Sequence, residues 1–527
     1  MNLLKATGTI GGLTLISRVL GLVRDSLFAR YIGAGFASDA FLVAFRLPNM
    51  FRALFAEGAF AAAFVPMFNR KVADPDPSYG GDGLRSGLDF AEQALAVLLP
   101  VLIAMTVVLE IFAWPVTFAL SGKFNGITAD QFAFAVTLSR IQIPYLLFIS
   151  VVSLFGGILN SMQKFWVNAA APILLNVTLI AALLIFHNTD PLITARNQAI
   201  GVSISGLLQL IWLAWSCHRN GVSLRLRLPR LTPEVRKLMS LILPAAAGAG
   251  AVQINLVIST ALAASLLTHG SVTYIYMADR LNQLPLGLIG IGLGTVLLPT
   301  ISRQLGAGQD LDALDTQNRG LELALLLTLP ATVALVLCGE PIAAGLFGYG
   351  RFSPIDVHYT AQALAAFSIG LPSYILVKVL TPGYYARHDT KTPVRFAIIS
   401  VAVNLVLNLI LIVPLKHMGP PLATAIASTV NVVMLYRTLV NRGHFAADRR
   451  LRRRAWRLLL AALAMGGVLW AVQGQVMPYV HGSWLARIVA LTVLVSAGGA
   501  VYAVATFVLG AFSLADLQFL RRRRKVA

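Results

Sequence analysis

Five arginines lie within two stretches of sequence that otherwise read as membrane-spanning helices. Between Ser17 and Pro66 they occupy positions Arg18, Arg24, Arg30, Arg46 and Arg52. An arginine at the centre of a bilayer costs about 2.5–3.5 kcal/mol even on the lenient insertion scale, so the four deepest would together cost about 10–14 kcal/mol facing lipid. These side chains must therefore face a watery cavity, a partner carboxylate or an anionic substrate.

Acidic residues recur beside these arginines at helical spacing. Arg18 and Asp25 are seven positions apart, nearly two turns, so both lie on one face of the first helix with Arg24 beside them. Asp39 and Arg46 repeat that spacing on the second helix. The two helices are therefore predicted to carry polar faces within the membrane.

Three interpretations of the arginines remain open on the residues alone. They snorkel to the membrane surface, they form structural ion pairs, or their excess charge receives a phosphate or pyrophosphate, which suits the planar guanidinium fork. The anion site is the favoured hypothesis, because four arginines lie too deep for easy snorkelling and at least match the nearby carboxylates in number. These predicted substrate-binding residues are Arg18, Arg24, Arg52 and Arg280, and the predicted supporting acids are Asp25, Asp39, Glu57 and Asp279.

The elements that carry these residues must be membrane helices. With 57% hydrophobic residues, 12% charged residues and a mean hydropathy of +0.75, a chain of 527 residues is not a water-soluble globule. Apolar runs of about 20 residues recur from end to end, as a hydrocarbon core of about 30 Å demands. The sequence predicts an all-α polytopic membrane protein with about fourteen transmembrane helices.

The net charge of +20 resides mainly in every second connection between these helices. By the positive-inside rule, the basic connections and both termini are cytoplasmic, which requires an even number of spans. This placement also argues against a nucleic-acid partner, because no foldable basic domain is present. No cleavage site stands out near Met1, so a removable signal peptide is not expected.

The helices fall into groups of six, six and two. Arg46-Leu47-Pro48-Asn49 is answered by Arg280-Leu281-Asn282-Gln283, and a second pair of motifs recurs at a similar offset, about 230 residues. The sequence therefore predicts two lobes in pseudo-twofold repeat, residues 1–219 and 220–445, followed by two further helices and a basic tail in 446–527. Transporters built from such repeats bind substrate between the halves.

Other polar residues carry weaker signals. Asn404 and Asn408 lie one turn apart in an apolar helix, where they could line a cation site or, as we favour, bond across helices. No metal-ligand cluster and no phosphate-binding or nucleophile motif occurs, so an enzyme is disfavoured. No cofactor is expected. Coupling of transport to the membrane potential or to a monovalent cation stays open.

A set of intramembrane charges at fixed spacing resembles a known family. The motifs are Arg18-Val-Leu-Gly21-Leu-Val-Arg24-Asp25, Asp39-Ala-Phe41, Ala44-Phe-Arg-Leu-Pro48-Asn49, Arg52, Ala56-Glu57-Gly58-Ala59, Phe64-Val-Pro66 and Ala278-Asp279-Arg280-Leu281. Together they resemble the bacterial lipid II flippases of the MurJ (MviN) family, a branch of the multidrug/oligosaccharidyl-lipid/polysaccharide exporter superfamily. The resemblance covers the whole chain.

The resemblance implies a cationic cavity between two lobes for the pyrophosphate and sugar-peptide head of lipid II. The family's essential arginines correspond to Arg18, Arg24, Arg52 and Arg280, with Asp25 and Asp39 as supporting acids. The last two helices would help to form a groove for the polyprenyl tail. Some relatives bind sodium through an acidic residue on the eleventh helix, where this chain has Asn404 and Asn408.

The implied function is to flip lipid II from the cytoplasmic to the periplasmic leaflet of the bacterial inner membrane by alternating access. Membrane lipids and cell-wall synthesis proteins are further expected partners. Two alternatives remain on the sequence: an exporter of another polyprenyl-linked oligosaccharide or a drug, and a non-transporting scaffold for cell-wall synthesis.

Overall fold

The chain folds almost entirely into helices. The computed structural model describes residues 3–55 and 59–512, and within these ranges no strand occurs. Two compact units form, residues 1–273 and 274–527. The first contains α1 (Leu3–Tyr31), α2 (Phe36–Phe55), α3 (Ala59–Ala73), α4 (Gly83–Ile111), α5 (Ala113–Ser121), α6 (Ala129–Gln142), α7 (Pro144–Ser161), α8 (Phe165–Ile185), α9 (Pro191–Arg219) and α10 (Pro233–Leu266). From α11 (Ser271–Gly306), which starts just before the boundary, the chain continues through α12 (Asp310–Leu337), α13 (Gly339–Phe347), α14 (Pro354–Ile369), α15 (Leu371–Tyr385), α16 (Lys391–Leu415), α17 (Gly419–Asn441), α18 (Arg449–Val480) and α19 (Trp484–Val508).

Ten helical stretches among the described residues are long and apolar enough to cross a membrane. This confirms the predicted all-helical, multi-pass class. One stretch, Lys391–Asn441, has 51 residues and includes a short 3-10 turn at Lys416–Met418. Because one crossing needs about 20 residues, this stretch is long enough for two crossings. The total of fourteen spans stays a prediction.

Helix breaks recur at matching places in the two halves of the chain. The break between α4 and α5 falls at Phe112, and the break between α12 and α13 falls at Cys338, 226 positions later. Likewise, α6 gives way to α7 at Ile143 and α14 gives way to α15 at Gly370, 227 positions later. These offsets agree with a repeat of about 230 residues. They do not decide the lobe boundaries at 219/220 and 445/446, which remain a prediction.

Stacked phenylalanines form part of the core of the first unit. Phe60, Phe64 and Phe68 recur every four residues along α3, with ring centroids 5.2 and 5.8 Å apart. Phe64 also stacks on Phe90 of α4 at 5.6 Å. Gly157 of α7 lies so close that an added Cβ would be 2.9 Å from the Phe64 ring. The four-residue spacing therefore gives α3 one aromatic face, which packs between α4 and α7.

The second unit has an aliphatic core. Five of its helices contribute buried residues, namely Leu297 of α11, Ala324 of α12, Val379 of α15, Leu439 of α17 and Leu451 of α18. The last two helices pack beside α12 through Met465 and Leu469 of α18 and Leu494 of α19, and Cys338 joins this cluster. Cys338 and Cys217 are both buried and form no disulfide.

Ion pairs also fasten α18 to α12. Glu322 of α12 pairs with Arg319 one turn earlier and with Arg450 and Arg454 of α18, at 3.4 and 3.3 Å. Arg319 bridges in addition to Asp448, whose carboxylate caps the start of α18. Charge and apolar packing together therefore bind α18 to the second unit.

Candidate functional site

Arg24 is the most completely buried of the predicted substrate-binding arginines, with 8% of its surface exposed. Its Nε and Nη2 donate to Asp25 Oδ1 at 3.0 and 2.6 Å, and its Nη1 donates to Asn176 Oδ1 of α8 at 3.1 Å. The Asn176 amide nitrogen donates in turn to the Ser17 carbonyl of α1 at 2.9 Å. Asp25 and Asn176 therefore hold the guanidinium in one orientation, and Asn176 also joins α8 to α1.

Asp39 contacts the start of another helix. Its Oδ2 accepts from the Gly270 N–H at 2.7 Å, and its Oδ1 accepts from the N–H and hydroxyl of Thr273 at 2.9 and 2.7 Å. The first N–H groups of a helix lack intrahelical acceptors and favour a negative charge. Within the described residues the Asp39 carboxylate therefore binds the backbone at the start of α11, and its predicted role in orienting an arginine stays a prediction.

The two arginines of α2 contact different neighbours. Arg46 Nε donates to the Thr260 hydroxyl of α10 at 2.8 Å. Arg52 Nε donates to Asn49 Oδ1, one turn earlier on α2, at 3.1 Å.

Arg18, another predicted substrate-binding residue, is half-buried on α1. Glu57, a predicted supporting acid, lies outside the described residues.

Arg280 and Asp279 belong to α11 in the second unit, and both are half-buried. Arg280 Nη2 donates to the Tyr276 hydroxyl at 2.8 Å, with its guanidinium carbon 4.8 Å from the centre of that ring. Gln283 Nε2 donates to Asp279 Oδ2 at 2.5 Å. Both contacts follow the four-residue spacing of one helix face. Each charged side chain therefore has a polar neighbour one turn away.

Asn404 and Asn408 form a buried amide chain. Asn408 Nδ2 donates to Asn404 Oδ1 at 3.0 Å, and Asn404 Nδ2 donates to the Thr424 hydroxyl of α17 at 3.1 Å. The described residues contain no group of three His, Cys, Asp or Glu side chains placed to hold a metal ion. This geometry supports the interpretation that the two asparagines bond α16 to α17.

Comparison with known proteins places this chain in a family. A family model described as lipid II flippase MurJ matches residues 28–490. The chain belongs to the MurJ family. It is 39% identical to a probable lipid II flippase MurJ of Rhizobium tropici, over 531 aligned positions that cover 100% of this chain and 97% of the relative. It is 36% identical to the lipid II flippase MurJ of Burkholderia cenocepacia, covering 89% of this chain and 90% of the relative.

Solved structures agree with MurJ membership at the level of the fold. A lipid II flippase MurJ in an inward closed conformation superposes with a TM-score of 0.77 at 24% identity, covering 94% of this chain and 97% of that one. An inward-facing multidrug resistance MATE transporter of the MOP superfamily gives a TM-score of 0.65 at 16% identity, covering 82% and 97%. This chain therefore shares the fold of these two membrane proteins.

Some hydrogen-bond partners of the charged side chains in this candidate site were not predicted from the sequence. Tyr276 and Gln283 could have been found, since each lies four positions from its charged partner on the same helix. Asn176 and Thr260 lie 152 and 214 positions from the arginines that they contact. Their only signal in the sequence is a polar side chain within an apolar span.

Proposed function

We propose that this MurJ family member moves lipid II from the cytoplasmic to the periplasmic leaflet by alternating access. The observation that carries the proposal is Arg24, a buried intramembrane arginine held in a fixed orientation by Asp25 and Asn176. A positioned guanidinium suits the oxygens of a pyrophosphate, because its planar N–H groups match their geometry. Membership of the MurJ family supplies the substrate class.

The balance of charge in the first two spans supports an anionic cargo. Between Ser17 and Pro66 the chain has five arginines and three acidic residues, an excess of two positive charges. Of the three acids, Asp39 directs its carboxylate at the first turn of α11. A cavity with this excess would attract a pyrophosphate and disfavour an organic cation. The charge balance therefore favours a polyprenyl-pyrophosphate cargo over a cationic drug.

Within this proposal, four arginines contact the pyrophosphate, namely Arg18, Arg24, Arg52 and Arg280. Asp25 positions Arg24 without touching the substrate. The protein spans the bacterial inner membrane with both termini cytoplasmic, and the two final helices α18 and α19 accommodate the polyprenyl tail. No enzymatic step is involved.

The membrane potential assists the outward step. Moving one elementary charge across the membrane is worth about 2.3 kcal/mol per 100 mV, and an inside-negative potential drives an anionic headgroup outward. We therefore expect flipping in proteoliposomes to accelerate under an inside-negative potential. Replacing Na⁺ by K⁺ at constant potential tests coupling to a monovalent cation, and an unchanged rate would argue against sodium coupling.

The direct test compares purified wild type with Arg24→Ala and Arg280→Ala for binding of lipid II and of undecaprenyl pyrophosphate, followed by flipping in proteoliposomes. Arg196→Ala removes an exposed arginine on α9 and serves as the charge-matched control. Thermal unfolding in detergent first establishes that each variant is folded. We expect both site variants to lose binding and flipping while the control retains both.

Three other outcomes would change the assignment. Normal lipid II flipping by folded Arg24→Ala and Arg280→Ala proteins would show that these arginines have structural roles and do not bind the substrate. Binding of undecaprenyl pyrophosphate without preference for lipid II would favour another polyprenyl-linked cargo. If neither ligand binds wild type but loop deletions disrupt cell-wall synthesis, the scaffold function replaces transport.

A further inference from the structure

The linker between α9 and α10, residues 220–232, lies along the start of α4. Arg227 holds two carboxylates at once, with Nη1 2.5 Å from Asp89 and Nη2 2.6 Å from Glu92. Five residues later, the Thr232 hydroxyl donates to Gln93 Oε1 at 2.8 Å. Glu92 is buried beneath these contacts. The linker is therefore fixed at one level of α4.

That level is the boundary between the polar and apolar parts of α4. Residues 94–109, which follow Glu92 and Gln93, include no charged side chain. At 1.5 Å per residue such a run covers most of the hydrocarbon thickness of a membrane, about 30 Å. The linker therefore crosses α4 at the depth where lipid headgroups meet hydrocarbon.

Leucines of the linker point away from the protein at this depth. Arg227 faces the acids of α4, whereas its two neighbours, Leu226 and Leu228, are 74% and 81% exposed. Leu231 is also largely exposed. Exposed leucines interleaved with arginines at a membrane boundary are typical of segments that lie in the interface, with apolar side chains among the lipids.

A cationic cavity adjoins these leucines. It has a volume of about 460 Å³ and is lined by Leu231, Pro233, Arg236, Lys237 and Ser240. Arg236 and Lys237 are exposed, and in the part of the chain that the structure describes neither pairs with an acid. Arg236, Ser240 and the exposed Leu243 lie on one face of α10, so the face changes from cationic to polar to apolar along the helix.

We propose that the linker and the first turns of α10 bind an acidic phospholipid. Its phosphate lies against Arg236 and Lys237, its glycerol region lies beside Ser240, and its acyl chains contact Leu228, Leu231 and Leu243. The order of these groups on the protein matches the order of groups in the lipid. The site is separate from the arginines proposed to bind lipid II.

Lipid counting by native mass spectrometry tests the headgroup contact. The full-length protein is presented with phosphatidylglycerol or phosphatidylcholine, and wild type is compared with the double variant Arg236→Gln/Lys237→Gln. Each cation near a membrane surface contributes about fivefold in affinity, so the double variant should bind phosphatidylglycerol roughly 25-fold more weakly. The pair Lys123→Gln/Arg196→Gln removes the same charge from exposed positions elsewhere in the first unit and should leave binding unchanged.

A second measurement places the linker relative to the bilayer. A bimane label on Leu228→Cys, in protein reconstituted into vesicles, should be quenched by lipids brominated near the headgroup. An unquenched, water-like emission would overturn the proposal even if a variant of α10 failed to fold. Equal loss of phosphatidylglycerol binding in the control pair would also overturn it, because the effect would then be general surface charge.

Lipid II provides the third arm of the test. If Arg236→Gln/Lys237→Gln weakens lipid II binding but not phosphatidylglycerol binding, the cavity belongs to the substrate path and the phospholipid assignment is wrong. Failure of the flippase assignment would instead appear in Arg24→Ala, which leaves this cavity intact. The two proposals can therefore fail separately.

Discussion

Asn176 links Arg24 to the backbone of α1. Removing its side chain should therefore break both hydrogen bonds. We expect Asn176→Ala to destabilise the protein by about 1–3 kcal/mol, because a buried guanidinium loses one acceptor and the Ser17 carbonyl loses its side-chain donor. Thermal unfolding in detergent measures the change. Asn125→Ala, at an exposed loop position, is the control and should be neutral. Equal stability of the two variants would show that Arg24 does not depend on Asn176.

Asp389 lies between two membrane-spanning stretches and should make the stability of the folded protein depend on pH. Hydrogen bonds from Thr392, together with the Arg442 guanidinium at 2.7 Å, lower the pKa of Asp389 to about 2 from its usual value near 3.8. A depressed carboxyl pKa contributes stability that is complete above the unfolded pKa and is lost as pH falls through the folded one. We expect Asp389→Asn to be less stable than wild type at pH 7, and the difference to narrow between pH 4 and pH 2.

Melting temperatures at pH 7, 5 and 3 check this expectation. Arg442→Gln is the companion variant, since it leaves the carboxyl in place and removes one of the groups that hold its charge. Its own pH dependence should be weaker than that of wild type. A wild-type advantage over Asp389→Asn that stays constant down to pH 3 would contradict the assignment.

The sequence indicated the charged residues of the site, and the structure added what they touch. The seven-residue spacing placed Arg18 and Asp25 on one face of α1 because a helix repeats every 3.6 residues. The spacing could not foresee that Asp39 meets the start of α11, 231 positions away along the chain. Contacts between distant segments depend on how helices pack, which no local pattern encodes.

Among the helices, the junction of α14 and α15 packs closely against α17. A Cβ added to Gly370 would lie 2.6 Å from the Tyr374 hydroxyl and 2.7 Å from Ala425 Cα of α17. Because the second contact is with the backbone of α17, the methyl group added in Gly370→Ala must push α17 away from the α14–α15 junction. We expect the substitution to lower the free energy of unfolding by about 1–3 kcal/mol, which thermal unfolding in detergent measures.

Gly467→Ala is the matched control for this substitution. Its added Cβ would meet no atom within 4 Å, and alanine favours a helix interior over glycine by about 1 kcal/mol. It should therefore be neutral or slightly stabilising. If Gly370→Ala behaved like Gly467→Ala, close packing at the α14–α15 junction would be refuted.

The helices themselves were more predictable than their interruptions. Apolar runs of membrane length set α8, α16 and α19, because hydrocarbon leaves backbone groups no partner outside the helix. The junction at Phe112 lies inside a long apolar run, and its one local signal is Pro115 in the first turn of α5, which the pattern of apolar runs passed over. The matching junction at Cys338 is likewise followed by Gly339 and Pro341 in the first turn of α13.

For the whole molecule, the distribution of charge predicts which connections face the cytoplasm. We expect a single cysteine at Ser223, in the basic linker, to react with a membrane-impermeant maleimide only after cells are permeabilised. A single cysteine at Thr189, in a connection of low positive charge, should react in intact cells. Both positions are exposed, and the two native cysteines are buried and are replaced by serine for this experiment. Labelling of Ser223→Cys in intact cells would show that the orientation of the protein in the membrane is opposite to the predicted one.

The contacts around Arg24 also bear on affinity through conformational entropy. An unrestrained arginine side chain has about 2 kcal/mol of rotamer entropy to lose when a ligand fixes it. In this protein Asp25 and Asn176 restrict the side chain before any ligand arrives. An anion that meets Arg24 therefore binds to a group that is already ordered, and less of the interaction is offset by lost motion. Asp25 can in this way strengthen binding of a negatively charged headgroup that its own carboxylate would repel.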